Sequence, residues 1–204
     1  MIYGNASAAT AILTKGGAGT VLTSDGTDIS WAAAAGGGGL EFISSTDVSN
    51  AATASFTGFD SSKYDSYLFT CGNIVPATDS QFFLLRMSVD NGSNYLSASD
   101  SYRTAGVTGI AAGDQAFIVL TNLNFGNVST EGASLDVRIH NPNLNTSTYA
   151  FADGILSQPD NTVYGGQGTG GKTKAATVVN AVQFLFLSGN IQSGTITMYG
   201  MVNS

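Results

Sequence analysis

Two stretches decide how this chain folds: Ser134-Leu135-Asp136-Val137-Arg138-Ile139 and Gly194-Thr195-Ile196-Thr197-Met198-Tyr199. In each, polar and apolar residues alternate one by one. A β-strand turns successive side chains to opposite faces, so such a stretch buries one face and wets the other. A helix would spread the same residues around its circumference. Working outward, short β-type runs recur at 40–44, 53–57, 67–71, 82–89, 116–121, 148–151 and 182–187, besides 134–139 and 195–202. Turn residues punctuate them: Asp60-Ser61-Ser62, Asp90-Asn91-Gly92, Gly113-Asp114, Asn141-Pro142-Asn143, Gln158-Pro159-Asp160 and Ser188-Gly189-Asn190. Only 175–181 offers a helical turn or two. Strands at this spacing predict an all-β domain over 40–204, an antiparallel sandwich of jelly-roll type.

Residues 1–39 read differently. Two very short strands, 20–23 and 29–31, flank a turn at Ser24-Asp25-Gly26, and Gly36 to Gly39 form a flexible linker. So small a hairpin needs a partner to pack on. This segment is therefore expected to be an attachment arm, with Leu22, Ile29 and Trp31 as its docking side chains.

Composition narrows the function. Charged residues are 10% of the 204, against roughly 25% in ordinary globular chains, while glycine reaches 26. Sparse surface charge weakens one defence against strand-edge association, so an oligomer is expected. The net charge is −7, and Lys15, Lys63, Arg86, Arg103, Arg138, Lys172 and Lys174 are scattered. Nucleic-acid binding, which needs clustered cations against phosphates, is disfavoured. No basic segment followed by an apolar run opens the sequence, and the apolar run 182–187 is too short to span a bilayer. A chain made in a cytoplasm, without membrane insertion, is expected.

The chemical motifs are thin. Gly166-Gln167-Gly168-Thr169-Gly170-Gly171-Lys172-Thr173 satisfies the phosphate-loop spacing, yet a phosphate loop needs a buried strand before it and a helix after it. The flanks here are half polar or β-prone, so a plain glycine-rich loop is expected. His140 is the sole histidine and meets a turn at Asn141-Pro142, which suits an edge residue better than a general base. Cys71, the sole cysteine, lies in an apolar run and is expected to be buried and inert. Asp60, Asp65 and Asp90 fall at turns, without the alternating acidic loop of a calcium site. Phe56, Phe59, Tyr64, Tyr67, Phe69, Phe82, Phe83, Tyr95 and Tyr102 are expected to serve mainly the core, with a glycan groove as the alternative. No catalytic, cofactor or metal residue is assigned.

Two segments carry a resemblance. Lys15-Gly16-Gly17-Ala18-Gly19-Thr20-Val21-Leu22-Thr23-Ser24-Asp25-Gly26-Thr27-Asp28-Ile29-Ser30-Trp31 resembles an element of tail-fibre and related virion proteins of tailed bacteriophages. The body is similar to a phage structural module through Phe59-Asp60-Ser61-Ser62-Lys63-Tyr64-Asp65-Ser66-Tyr67-Leu68-Phe69, Val75-Pro76-Ala77-Thr78-Asp79, Leu85 to Tyr95 and the closing stretch from Phe184 to Gly200. The resemblance implies a homotrimeric virion protein, anchored by its arm to other virion proteins, and carries over no catalytic residue. Three functions follow as expectations. One is a short tail fibre whose loops 91–104 and 157–174 touch a host surface glycan. Another is a capsid decoration or head-fibre protein without a receptor. The third is an enzyme, acting on nucleotides through Lys172 or on glycans through paired carboxylates that the sequence does not locate.

Overall fold

The computed structural model describes residues 2–4, 10–33, 39–107 and 109–202. Among these the regular structure is β throughout, with no helix. The chain divides between Gly38 and Gly39 into two units. The glycine linker, but for Gly39, lies outside the described residues.

The first unit holds β1 (Ile2–Gly4), β2 (Thr10–Ile12), β3 (Thr20–Ser24) and β4 (Ile29–Ala33), paired antiparallel as β1 with β2 and β3 with β4. The β3–β4 turn is closed by Asp25, whose Oδ1 accepts the N–H of Thr27 at 2.8 Å and of Asp28 at 2.7 Å.

The second unit runs through β5 (Leu40–Ala51), β6 (Thr53–Phe56), β7 (Tyr64–Pro76), β8 (Phe83–Ser88), β9 (Tyr102–Thr104) and β10 (Gly113–Gln115). It continues with β11 (Ile118–Val119), β12 (Gly132–His140), β13 (Tyr149–Ser157), β14 (Val163–Gly165), β15 (Gly170–Thr173), β16 (Ala181–Phe186) and β17 (Ile191–Val202). The large sheet has the order β10-β9-β15-β13-β12-β7-β17-β5, with β14 also paired to β13; the small one is β11-β8-β16-β6. The chain crosses between the two sheets repeatedly, and each sheet keeps its strands antiparallel. This is the expected antiparallel sandwich.

Period two explains the packing. Leu135, Val137 and Ile139 of β12, Ile196 and Met198 of β17, and Tyr67, Phe69 and Cys71 of β7 all turn inward and are buried. They meet Phe56, Phe83, Phe184 and Phe186 from the small sheet in one core. Phe184 lies edge-on to Phe69 at 5.2 Å between ring centres and stacks on Phe83 at 5.6 Å, the offset and T-shaped contacts that aromatic rings favour.

The fold settles one open segment and corrects one turn. The 175–181 segment is not helical, because its backbone donors are taken elsewhere: Thr177 N–H goes to the Thr146 carbonyl, Val179 to Pro142 and Asn180 to Ser88. Gly113-Asp114 is not a turn but part of β10, paired with Thr104 and Arg103 of β9.

Candidate functional site

The alternation that buries Leu135 and Val137 sends Asp136, Arg138 and His140 outward, and the neighbouring β13 sends out Tyr149, Phe151, Asp153 and Ile155. Cross-strand partners share a face, so the register builds rows across the large sheet. One row runs Asp153, Asp136, Thr70, Thr197 and Ser45; the next runs Phe151, Arg138, Leu68, Tyr199 and Phe42. On them lies an open depression of about 620 Å³, lined by Thr70, Asp136, Arg138, Phe151, Asp153 and Thr197 among its residues.

The polar row is closed by hydroxyls at its β5 side, where Ser45 Oγ and Thr197 Oγ1 are 2.8 Å apart, and in the next row Thr195 Oγ1 donates to Asp47 Oδ1 at 2.7 Å. In the other row, the Arg138 guanidinium sits 5.7 Å above the Phe151 ring and His140 stacks on the same ring at 5.5 Å. Lys172 lies likewise 5.5 Å from the Tyr149 ring centre. Such cation–π contacts leave the charge of the cation unneutralised. Among the described residues the ion pairs are Arg103–Asp114, Lys174–Asp114 and Lys174–Asp100, none of which uses Arg138, Asp136 or Asp153. Asp136 stands directly opposite Asp153, an arrangement in which like charges repel.

This carboxylate pair and the exposed aromatics Phe42, Tyr149 and Phe151 escaped the sequence reading. A signal existed: in Tyr149-Ala150-Phe151-Ala152-Asp153 the large residues fall on one parity and the alanines on the other. Chemically the pair is two acids on one open face. It lacks the contrast of surroundings that divides proton donor from nucleophile in glycoside cleavage.

The glycine-rich stretch is not a loop throughout. Gly170 to Thr173 form β15, pinned between β13 and β9, with Lys172 opposite both Tyr149 and Arg103. Its glycines serve close packing: a Cβ on Gly168 would strike the Ala152 carbonyl, and one on Gly170 the Ala150 carbonyl. No helix follows to supply an anion site. His140 ends β12, paired with Tyr149 and Ser66. Cys71 is buried, and burial pushes its thiol pKa far up. Of the turn aspartates, Asp60 and Asp90 spend their oxygens on their own turns: Asp60 Oδ1 takes Ser62, while Asp90 takes Ser88 and Asn94. Among the described residues no three His, Cys, Asp or Glu gather as a metal set. Nor is any helix there long and apolar enough to cross a membrane.

The loops 91–104 and 157–174 are brought together, since β9 pairs with β15 and the Lys174 N–H reaches the Ser101 carbonyl at 2.9 Å. Their junction is charged: Lys174 Nζ donates to Asp114 at 2.6 Å, and this, with Arg103, holds the Asp114 carboxyl below its usual range.

In the first unit, Leu22 pairs directly with Trp31, and Ile29 lies two residues before Trp31 on the same face. Leu22 and Trp31 are 38% and 40% exposed, enough to dock on something. Trp31 is held by its Nε1–H, which donates to the Thr14 carbonyl at 2.6 Å. Its ring lies over Gly16, where a Cβ would collide with it.

Compared with known protein families and with curated proteins, the chain matches no family model and no curated sequence.

Proposed function

We propose that this chain is a non-enzymatic structural protein of a tailed-phage virion, a short trimeric tail fibre. Residues 1–39 attach it to other virion proteins, and the head, residues 40–204, meets the host surface. The observation that carries this reading is the β3–β4 hairpin. It is too small to bury its own apolar residues, yet it fixes Leu22, Ile29 and Trp31 on one face. A structure that spends a tryptophan hydrogen bond and a glycine on presenting exposed apolar side chains is organised for a partner.

In the head, the β9–β15 junction is the host-facing end. It gathers the loops 91–104 and 157–174, with a mixed cluster of Arg103, Asp114, Lys174 and Asp100 that suits hydroxyl-rich glycans. The nucleotide-hydrolase reading loses its support, because Lys172 is a strand residue lying over Tyr149. Deleting residues 1–35 is expected to leave a folded, self-associated head that no longer joins particles. Normal incorporation of that variant would overturn the reading. Purified protein is expected to adhere to host cells; failure to do so would leave the decoration role in its place.

A further inference from the structure

The two sheets treat their outer faces differently. The small sheet covers its own: Leu84 and Val119 pack with Phe82 and Ile110, and Val107, Phe117 and Leu185 lie against them. Among the described residues of the second unit, no such cover lies over β13, β12, β7, β17 and β5 of the large sheet. There Phe42 is 60% and Phe151 41% exposed, with Leu40, Tyr149 and Met201 exposed beside them. Scattered exposed apolar residues are ordinary, but these occupy adjoining rows of one sheet. The face ends at β5, a twelve-residue strand that among the described residues pairs only with β17. A long edge of that kind invites pairing or cover.

We propose that this outer face is the surface through which copies of the chain pack on one another; the inference rests on the self-assembly contained in the function proposed above. Charge selects the occupant. Arg138 lies one register row from Asp136 and Asp153, and among the described residues none of the three has an ion pair. An anionic partner, such as a nucleic acid or an anionic membrane, would be repelled by the two carboxylates, and a purely cationic one would leave Arg138 facing like charge. A second copy brings the same mixture turned about a rotation axis, so that Arg138 of one copy can face a carboxylate of the next. Apolar rows then close over one another, and the charges set the register.

The test is the mass of the full-length chain by light scattering over a range of concentrations. Wild type is expected to be a multiple of 20.8 kDa. A Phe42→Asp, Phe151→Asp double variant should fall to the single-chain mass with its far-ultraviolet β signature intact, since both side chains are solvent-exposed. Leu187→Asp, 51% exposed next to the small sheet, should remain assembled. Arg138→Glu should dissociate at concentrations about tenfold higher than wild type or more. A double variant that stays assembled would place the contact elsewhere and sink this inference alone. Should the double variant unfold, Arg138→Glu decides: dissociation like that of wild type overturns the proposal. A wild-type chain of single mass at every concentration would overturn both this face and the assembly it serves.

Discussion

Tyr102 carries its hydroxyl into the core, where it accepts the Met87 N–H at 2.6 Å and lies 3.2 Å from the Leu96 carbonyl. Burial pushes its phenol pKa well above the ordinary range. Tyr102→Phe would leave a buried donor and acceptor unmatched, so it is expected to cost about 1–3 kcal/mol in a urea melt. Asp90 gives a prediction in pH. The Asn94 side chain, the Asn94 backbone and the Ser88 hydroxyl bond to its carboxylate and hold the pKa at about 2, below the usual 3.8. The stabilisation of this turn is thus complete above the usual value and is lost as pH falls towards 2. The Asn94 side-chain amide signal of the folded protein should shift with a midpoint at about pH 2, and Asp90→Asn should abolish the transition. Cys71 should resist alkylation in the native protein and react only after unfolding, because burial disfavours its thiolate.

At the scale of elements, the glycine-rich stretch offers a direct comparison. Gly168→Ala would force a methyl group into the Ala152 carbonyl and should destabilise the head by about 1–3 kcal/mol. Lys172→Ala loses a half-buried lysine's cation–π contact with the exposed Tyr149 ring and should cost about 0.5–1 kcal/mol, with no change in any nucleotide response. Nucleotide binding by the wild type that Lys172→Ala abolishes would revive the phosphate-loop reading. Strands that alternate cleanly were legible beforehand, as 134–139 within β12 and 195–202 within β17 show. Strands β9, β10, β14 and β15 were not: Gly-Asp-Gln and Gly-Gly-Lys-Thr have no apolar period, and they are strands because neighbours supply backbone partners. The 175–181 segment, open to a helical turn by sequence, is not helical for the same reason, since remote carbonyls take the donors a helix would use. In the hairpin, the Leu22–Trp31 pairing agrees with the short strands read around Asp25-Gly26. The outer-face site was hidden because cross-strand neighbours such as Arg138 and Phe151 are fixed by register, which no single stretch encodes.

At the scale of the whole molecule, the chain carries two distinct exposed apolar surfaces. The hairpin presents Leu22, Ile29 and Trp31, and the head presents an uncovered face on its larger sheet. Trp31→Ala removes the bond to Thr14 and the cross-strand contact with Leu22. It is expected to lower incorporation into particles strongly while leaving the thermal melt of the head unchanged. Low surface charge fits a protein whose faces are sealed by copies of itself. A density map of the intact particle tests this most directly. The account predicts three heads packed through their large sheets, with the hairpin against a neighbouring virion protein. Heads standing apart with Phe42 and Phe151 in solvent, or a particle without this chain, would contradict it.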